Sequence, residues 1–388
     1  MTTRFQFRNI TPGWFATGVT GIMLATWSIA ALVYPSPVIH DQVVSLFREE
    51  VDFQVYFSNL GWVKHGEVLL NHGYAEYPVL GLMYVNWPHY LVSGFEAYHW
   101  LLWISNAGLL LLAVWLWRRI AELLELPPGA WWLWLLPSSL YYTLNRFDIF
   151  PVCLVLLGLY LVLRQRFRSA WVVYGLSIMA KVYPIFLLPL FIQLTRQRVT
   201  AWWKYLPYLA APVVGLLLGV YWVGGLPAVV VPFTLQLARG VDVGSLRAVL
   251  IQLGLGSSAW SVVAQVGQVA LPAWWLVRVV VGKSPLPSRA GLTLAALSLL
   301  LLTNLYPFYS NQWWLWVLPF VAWVLPPPQR VVALFYDLVN YLQFPLGFEL
   351  LGAQSTWFSL VVAWRVGLAA WLLVVLWRQL PRRWWVVT

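Results

Sequence analysis

Three cations interrupt apolar runs at positions where an isolated charge is costly. They are Arg146 in "NRFDIFP", Lys181 in "AKVYP" and Arg239 in "LARGVDVGSL". A cation near a bilayer core costs at least ~2.5 kcal/mol unless it faces water, a partner charge or an anion. If their turns share one side of a membrane, the three side chains can converge on one anion at its surface. The natural anion at such a surface is a lipid phosphate.

The acids are concentrated in one polar segment near the start of the chain. This segment, His40–His99, contains all five histidines and the run "REEVDFQVYF", with Glu49, Glu50 and Asp52. The histidines lack the compact two-ligand spacing of a metal motif, so we expect no metal site. Carboxylates in a loop beside a membrane can act as proton acceptors, ion-pair partners or simply solvated charges.

Composition restricts the class of protein that can position these residues. The chain has 388 residues, of which 61% are hydrophobic and only 10% are charged, whereas a soluble domain is nearer a quarter charged. A disulfide scaffold is excluded because Cys153 is the single cysteine. The net charge of +11 lies between apolar runs, which is typical of topology determinants and not of a nucleic-acid surface. We therefore predict an all-α polytopic membrane protein.

Apolar runs of about 20 residues can each cross a bilayer, and the sequence predicts about twelve such helices in a single transmembrane domain, 1–388. The first is Gly13–Val33, an uncleaved helix, and it precedes a structured first outer loop, 34–97, with interfacial helices. Within that loop, Tyr77–Leu91 is expected to be interfacial or re-entrant. The remaining predicted spans are 98–117, 130–144, 149–163, 169–180, 182–194, 205–223, 258–281, 289–304, 312–325, 331–347 and 357–377.

On this topology both termini are cytoplasmic, and most of the 24 Lys and Arg residues lie on the cytoplasmic side, as the positive-inside rule requires. Most of the 13 acids then lie on the outer side, together with Arg146, Lys181 and Arg239. The short cytoplasmic loops contain no phosphate-binding P-loop motif. We therefore expect any chemistry at the outer face.

Several stretches resemble the GT-C superfamily of membrane glycosyltransferases, and most closely glycosyltransferase family 87. They are "VDFQVYF", "YAEYPVL", "LARGVDVGSL", "YSNQWWLWVLPF" and the long block "NRFDIFPVCLVLLGLYLVLRQRFRSAWVVYGLSIMAKVYPIFLLPLFI". The long block is the most specific of these stretches. Two positions depart from the family, which often has an acid at Gly244 and a second proline at Val79.

The resemblance implies an inverting hexosyltransferase of the mannosyltransferase kind, with Asp52 as general base and without cofactor or metal. Its donor would be a sugar linked to polyprenyl phosphate, and its acceptor a glycolipid, a glycan or a protein. The expected location is a bacterial plasma membrane, among membrane lipids, with the active site on the outer face. The residues expected to bind the donor phosphate are Arg146, Lys181, Arg239 and His89. Those expected to contact substrate are Asp148, Glu50, Tyr77, Gln312 and Trp313.

Other interpretations remain open from the residues alone. Asp52 can be a solvated loop acid or a helix cap, Arg146 and Asp148 can form a structural ion pair, and Lys181 can be an interfacial anchor. A transporter or flippase of a lipid-linked sugar is a second functional class, and a non-catalytic membrane subunit is a third. Within the last two spans, Asp337 and Arg365 are expected to form a structural pair.

Overall fold

The computed structural model describes residues 51–64, 77–127, 129–255, 258–282, 286–348, 352–353 and 355–381. The predicted first helix, Gly13–Val33, and Glu50 lie outside the described residues. All regular structure within the described ranges is helical, which confirms the predicted all-α class. The α-helices are α1 (Val51–Lys64), α2 (Val79–Asn86), α3 (Phe95–Leu123), α4 (Pro137–Asn145), α5 (Ile149–Leu163), α6 (Phe167–Ala180), α7 (Leu188–Arg196), α8 (Leu206–Ala238), α9 (Leu246–Gln252), α10 (Ser258–Val281), α11 (Ser288–Leu305), α12 (Trp314–Val324), α13 (Arg330–Tyr341) and α14 (Thr356–Trp377).

Several helix ends follow directly from local sequence. Proline occupies the first turn of α4, where its missing N–H leaves no hydrogen bond unmade. Ser245 and Ser355 cap α9 and α14, because their hydroxyls accept hydrogen bonds from Ala248 N and Phe358 N at 3.2 and 3.1 Å. Short 3₁₀ segments extend some of these helices, for example Trp87–Tyr90 after α2.

Within the described residues, five helices are long and apolar enough to cross a membrane, or six if α4 and α5 form one broken span. The five are Phe95–Leu123, Trp202–Gln236, Trp260–Val281, Ser288–Leu305 and Thr356–Trp377. The predicted number of about twelve spans is therefore not confirmed.

Helix α12 illustrates why apolar runs exceed membrane-crossing helices here. It has 11 residues, which extend roughly 16 Å at ~1.5 Å per residue, against a hydrocarbon core of about 30 Å. Every one of these residues is buried inside the protein. Its hydrophobicity therefore reflects the protein core and not contact with lipid.

Tryptophan side chains join helices that are distant in sequence. Trp117 of α3 stacks on Trp323 of α12 with ring planes 4° apart. The indole N–H of Trp117 donates to Pro319 O at 3.0 Å, and that of Trp323 donates to Trp117 O at 3.3 Å. Part of the unusual tryptophan content therefore serves packing, with the indole N–H groups satisfied by backbone carbonyls.

Helix α8 forms a wall that packs on α6 along one side and is otherwise exposed. Only 6% of its most apolar window is buried inside the protein, as expected for a surface that contacts lipid. The helix breaks at Gly225, where φ is +69°. A residue with a Cβ atom rarely adopts this backbone conformation, so glycine permits the change of direction.

The helix ends define two regions of the molecule. The "cavity end" contains the turns 145–148, 181–183, 239–245 and 306–312, which surround shared cavities. The "basic end" contains the opposite turns, where Arg196 donates to Gly282 O at 2.9 Å and Arg289 donates to Val324 O at 3.4 Å. The turns with Arg146, Lys181 and Arg239 thus meet at one end, as the sequence predicts.

An aromatic cluster attaches the described part of the first loop to the helices at the cavity end. The cluster contains Phe53 and Tyr56 of α1, Tyr77, Tyr98 of α3 and Phe147. A close backbone approach adds to it, because a Cβ atom at Gly81 of α2 would lie 2.4 Å from Ala180 O. Glycine at this position lets α2 pack directly against the end of α6, beside Lys181.

Candidate active site

A cavity of about 520 Å³ lies at the cavity end. Residues from the first loop, from the break between α4 and α5, and from the ends of α6, α8 and α11 line it. Seven sequence-predicted site residues are among them: Asp52, Tyr77, Arg146, Lys181, Arg239, Gln312 and Trp313. The fold therefore gathers residues that are separated by more than half of the chain.

Asp52 and Arg146 form an ion pair at one side of the cavity. Asp52 lies in the first turn of α1, and burial of the adjacent Phe53 against His99, with ring centroids 4.2 Å apart, holds this turn in place. The Asp52 side chain is 33% exposed and that of Arg146 is 9% exposed. The carboxylate is thus the more accessible partner and remains open to a ligand in the cavity.

The break between α4 and α5 positions two charged side chains. The two helices meet at an angle of 102°, and Arg146 and Asp148 lie in the link between them. Irregular backbone at membrane depth is tolerated where it is buried in protein or lines a cavity. Arg146 points toward the cavity, whereas Asp148 is fully buried behind it.

Lys181 forms the second ion pair, with Asp148. Its Nζ lies 2.6 Å from Asp148 Oδ1, and the indole N–H of Trp316 donates to the same oxygen at 2.7 Å. The ammonium group also lies over the ring of Phe147, 4.6 Å from its centroid. Lys181 lines the cavity while the carboxylate does not, so the cation can face a ligand as well as its buried partner.

Arg239 closes the far side of the cavity. It follows α8, and its guanidinium carbon lies 4.2 Å from the ring centroid of Phe308. Gln312 and Trp313, in the 3₁₀ segment before α12, line the same space. Three cations from three different turns thus surround one cavity, as the sequence predicts.

Within the described part of the chain, two predicted site residues are not brought to this surface. His89 lies in the aromatic cluster of the first loop, where its ring stacks on Phe57 at 4.8 Å and meets Tyr98 at 4.6 Å. Asp148 lies beneath Lys181 and contributes through that side chain. Glu50 is outside the described residues.

The cavity also has aromatic and apolar walls that sequence analysis does not single out. They include Tyr183, Phe186, Phe233, Leu302, Tyr306 and Phe308. Aromatic and aliphatic residues are abundant throughout a chain that is 61% hydrophobic. No pattern in the sequence separates those that face a cavity from those that face lipid or the core.

Asp337 and Arg365 do not form the direct pair that the sequence suggests. Asp337 accepts hydrogen bonds from the Ser138 and Ser139 amides, from the Ser139 hydroxyl and from the Trp314 indole, at 2.5 to 3.0 Å. Arg365 instead donates to neutral side-chain and backbone oxygens. Both residues lie inside the helix bundle, where each finds several polar partners of its own.

Arg365 of α14 supports the loop that follows α8. Its guanidinium donates to Gln343 Oε1 at 2.7 Å, to Asn304 Oδ1 at 2.7 Å and to Gly244 O at 3.0 Å. It also lies over the ring of Tyr309, 3.4 Å from the centroid. The residue is fully buried, so it fixes the wall of the cavity end without contacting solvent.

Asp242 lies in that same loop, outside the membrane-spanning helices. Its Oδ2 accepts a hydrogen bond from Gly244 N at 2.9 Å. Burial raises the pKa of this carboxyl, while the Gly244 amide and the Arg365 charge act in the opposite direction. Across the described residues, no group of three His, Cys, Asp or Glu side chains is arranged to hold a metal ion.

Similarity to known proteins shows which family the chain belongs to. No curated protein matches the chain. The model of glycosyltransferase family 87 matches residues 75–303, more than half of the chain. The matched region includes Arg146, Lys181 and Arg239, whereas Asp52 precedes it. Together with its apolar helices, this match identifies the chain as an integral membrane glycosyltransferase that belongs to glycosyltransferase family 87.

Proposed function

We propose that this glycosyltransferase moves a sugar from a polyprenyl-phosphate donor to an acceptor at the outer face of the membrane. One observation carries the proposal: a single cavity contains a carboxylate, Asp52, together with Arg146, Lys181, Arg239 and apolar walls. The carboxylate suits proton transfer from a hydroxyl, the cations suit a phosphate, and the walls suit a prenyl chain.

The donor phosphate is expected between the three cations. A phosphate present before and after the reaction needs fixed positive charge in both states, and Lys181 is held in place by its buried partner Asp148. The prenyl chain can enter from the bilayer beside α8, which contributes Phe233 to the cavity and whose most apolar part is largely exposed on the surface of the protein. An apolar track that ends in cations matches the two ends of such a donor.

Asp52 is the proposed general base. The acceptor hydroxyl oxygen attacks the anomeric carbon, its proton passes to the Asp52 carboxylate, and the bond between that carbon and the phosphate oxygen breaks. The phosphate keeps the electron pair and remains bound by the cations. A single displacement of this kind inverts the anomeric centre. Before donor binding, Arg146 neutralises Asp52, and the donor phosphate competes for the same guanidinium.

The sugar and the acceptor are proposed at the level of chemical class. The family resemblance supports a hexose such as mannose, and an acceptor that is a glycolipid, a glycan or a protein. The two ends of the molecule support an active site at the outer face. The positive-inside rule places the basic end in the cytoplasm, so the cavity end lies on the opposite side of the membrane. A bacterial plasma membrane is the proposed location.

Transfer from a radiolabelled donor tests the function directly. Purified protein in liposomes is given polyprenyl-phosphate-linked [14C]mannose or [14C]glucose, with a membrane lipid extract as acceptor. The expected result is loss of label from the donor and its appearance in an acceptor fraction. Movement of an intact donor across the liposome membrane, with its sugar still attached, would instead identify a flippase.

Cysteine labelling tests the proposed orientation. Cys153 is buried, and its thiol donates to Leu109 O at 3.1 Å, so Cys153→Ala provides a cysteine-free background. Single cysteines then replace Gln165 at the basic end and Gly240 at the cavity end, both of which are exposed. A membrane-impermeant maleimide applied outside intact cells should label position 240 and not position 165. Labelling of both positions from one side would reject the orientation.

A further inference from the structure

A second, smaller cavity of about 170 Å³ adjoins the first. The two cavities share Arg146, Phe308, Ser310 and Gln312 in their walls. A ligand in the smaller cavity would therefore lie next to the Asp52–Arg146 pair without occupying the space between the three cations. The proposed donor phosphate and prenyl chain account for the larger cavity and leave the smaller one unassigned.

The walls of the smaller cavity combine polar and aromatic groups. Asp242, Asn311 and Gln343 provide a carboxylate and two amides, while Phe344 and Phe348 provide aromatic rings. A sugar ring has the same two kinds of surface, because hydroxyl groups surround its edge and C–H groups cover its faces. Its volume is about 170 Å³, against about 520 Å³ for the larger cavity, so it offers room for one small ring and not for a lipid chain.

The charge of this cavity disfavours an anion. Among its lining residues in the described part of the chain, Arg146 is the cation and Asp242 is the acid. A phosphate would face the Asp242 carboxylate at close range, and this repulsion would oppose the attraction to Arg146. An uncharged hydroxyl avoids this conflict, since it can donate to the carboxylate and accept from the guanidinium.

Gln312 provides an independent indication of a ligand at the junction of the cavities. Its side chain is 6% exposed and lines both spaces. Its side-chain amide makes no hydrogen bond to any part of the chain that the structure describes, so it is available to a ligand in either cavity. An amide both donates and accepts, which matches hydroxyl groups that do the same.

The wall that carries Asp242 is rigidly supported. Arg365 donates to Gly244 O at 3.0 Å and to Gln343 Oε1 at 2.7 Å, and the Gly244 amide donates to Asp242 Oδ2 at 2.9 Å. Asp242 N in turn donates to Pro307 O at 3.1 Å. The carboxylate is therefore oriented before any ligand arrives, as expected of a binding site that selects one hydroxyl arrangement.

We propose that the smaller cavity is a subsite for one uncharged sugar ring, with Asp242 and Gln312 binding its hydroxyl groups. The ring belongs either to the donor sugar or to the terminal sugar of the acceptor. Both present the same hydroxyl groups and C–H faces to the cavity. This inference rests on the proposed function, because it places the sugar beside the proposed base. It adds a specificity determinant, Asp242, that lies outside the cation cluster.

The test measures binding of four probes to wild-type protein and Asp242→Asn in nanodiscs. The probes are undecaprenyl phosphate, undecaprenyl-phosphate-linked mannose, and the simple sugars methyl α-D-mannopyranoside and methyl β-D-glucopyranoside. Asparagine can still accept the hydrogen bond from Gly244 N, so the turn is preserved while the charge is removed. Glu96→Gln, an exposed acid at the start of α3, is the matched control.

The proposal predicts that Asp242→Asn weakens binding of a sugar-bearing probe about tenfold, because hydrogen bonds to a charged group are about twice as strong as neutral ones. Binding of undecaprenyl phosphate and all binding by Glu96→Gln should stay unchanged. A loss for the sugar-linked lipid assigns the ring to the donor. A loss for the methyl glycosides alone assigns it to the acceptor.

Gly244→Ala provides a steric variant that does not depend on the charge. A Cβ atom there would lie 2.5 Å from Gln343 Nε2 and 2.8 Å from Asp242 Oδ2, so both side chains must shift. The same sugar-bearing probe should lose affinity, with undecaprenyl phosphate unaffected. The subsite is overturned if both variants bind every probe with the affinity of the wild type. It is also overturned if they lose as much affinity for undecaprenyl phosphate as for the sugar-bearing probes. Failure of wild-type protein to bind undecaprenyl phosphate would count against the proposed donor, and the methyl glycosides would still test the subsite.

Discussion

Two ion pairs of nearly equal length differ in almost every other respect. Lys181 Nζ and Asp148 Oδ1 are 2.6 Å apart at the cavity end, with side chains 10% and 0% exposed. Arg119 and Glu122 are 2.8 Å apart near the basic end, with side chains 52% and 51% exposed. Removing one partner of a buried pair leaves an uncompensated charge, whereas solvent screens an exposed pair. Burial, and not the distance between the charges, therefore distinguishes these two pairs.

A third ion pair, between Asp52 and Arg146, lies at the cavity end, and the change at Asp52 is expected to have the largest effect on turnover. Asp52→Asn keeps the size of the side chain and removes the basicity that would accept the acceptor proton, so turnover should fall on the order of 10²–10⁴-fold. Donor affinity should not fall, because the neutral asparagine no longer competes with the donor phosphate for Arg146. Turnover and donor binding are measured on the same nanodisc preparation.

Glu122→Gln is the matched control, since Glu122 also pairs with an arginine but lies near the basic end. It should retain full turnover. Wild-type turnover in Asp52→Asn would remove Asp52 from the base role, and equal loss in both variants would point to a general effect on the protein.

Lys181→Met should reduce both stability and donor affinity. Loss of the ammonium group leaves the buried Asp148 carboxylate with the Trp316 indole but without its cation, which costs about 3–5 kcal/mol. Thermal unfolding and binding of undecaprenyl phosphate are the two measurements.

The double variant Lys181→Met/Asp148→Asn separates the two roles. Removing the second charge should restore much of the thermal stability, whereas affinity for undecaprenyl phosphate should stay low. Recovery of donor affinity along with stability would show that Lys181 serves only to neutralise Asp148.

Asp337→Asn tests whether a buried carboxylate away from the cavities is structural. Its oxygens accept from four donors, and an amide would place its own N–H groups against some of them. A melting temperature reduced by the equivalent of about 1–3 kcal/mol is expected. Ser139→Ala, which removes one donor, should have a smaller effect. A melting temperature unchanged in Asp337→Asn would contradict this role.

Arg119→Ala should have the smallest effect of the series. Its pair with Glu122 is exposed and separated by three residues of one helix, and many such pairs contribute nothing measurable. Melting temperature and turnover should both match the wild type. A loss of turnover comparable to that in Asp52→Asn would break the distinction between the two ends.

Charged residues that interrupt apolar runs are the features best predicted from the sequence. Arg146, Lys181 and Arg239 stand out because charge is rare between apolar runs, and the structure brings all three to one cavity. The boundaries of α5 agree with the predicted 149–163 for the same reason, since Asp148 and Arg164 flank it. Rare charges in a hydrophobic chain are thus informative about both helix ends and sites.

The partners of these charged residues are harder to predict from the sequence. The neighbours Arg146 and Asp148 suggest a local pair, but the structure pairs Arg146 with Asp52 and Asp148 with Lys181. Helices α4 and α5 meet at an angle of 102°, so the two side chains in the link between them reach different partners. The spacing of residues in the sequence does not predict that angle. His89 likewise resembles a phosphate ligand in sequence, although aromatic packing places it against Phe57.

The break in α8 at Gly225 is expected to make the cavity wall sensitive to the thickness of the bilayer. The part of α8 before the break is roughly 28 Å long at ~1.5 Å per residue, close to the hydrocarbon thickness of about 30 Å. The part after it carries Phe233 and Gln236 to the cavity. A thinner membrane tilts the first part and so changes the height at which the second part meets the cavity. We therefore expect lipid chain length to alter the position of this wall, because the two parts of α8 meet at Gly225.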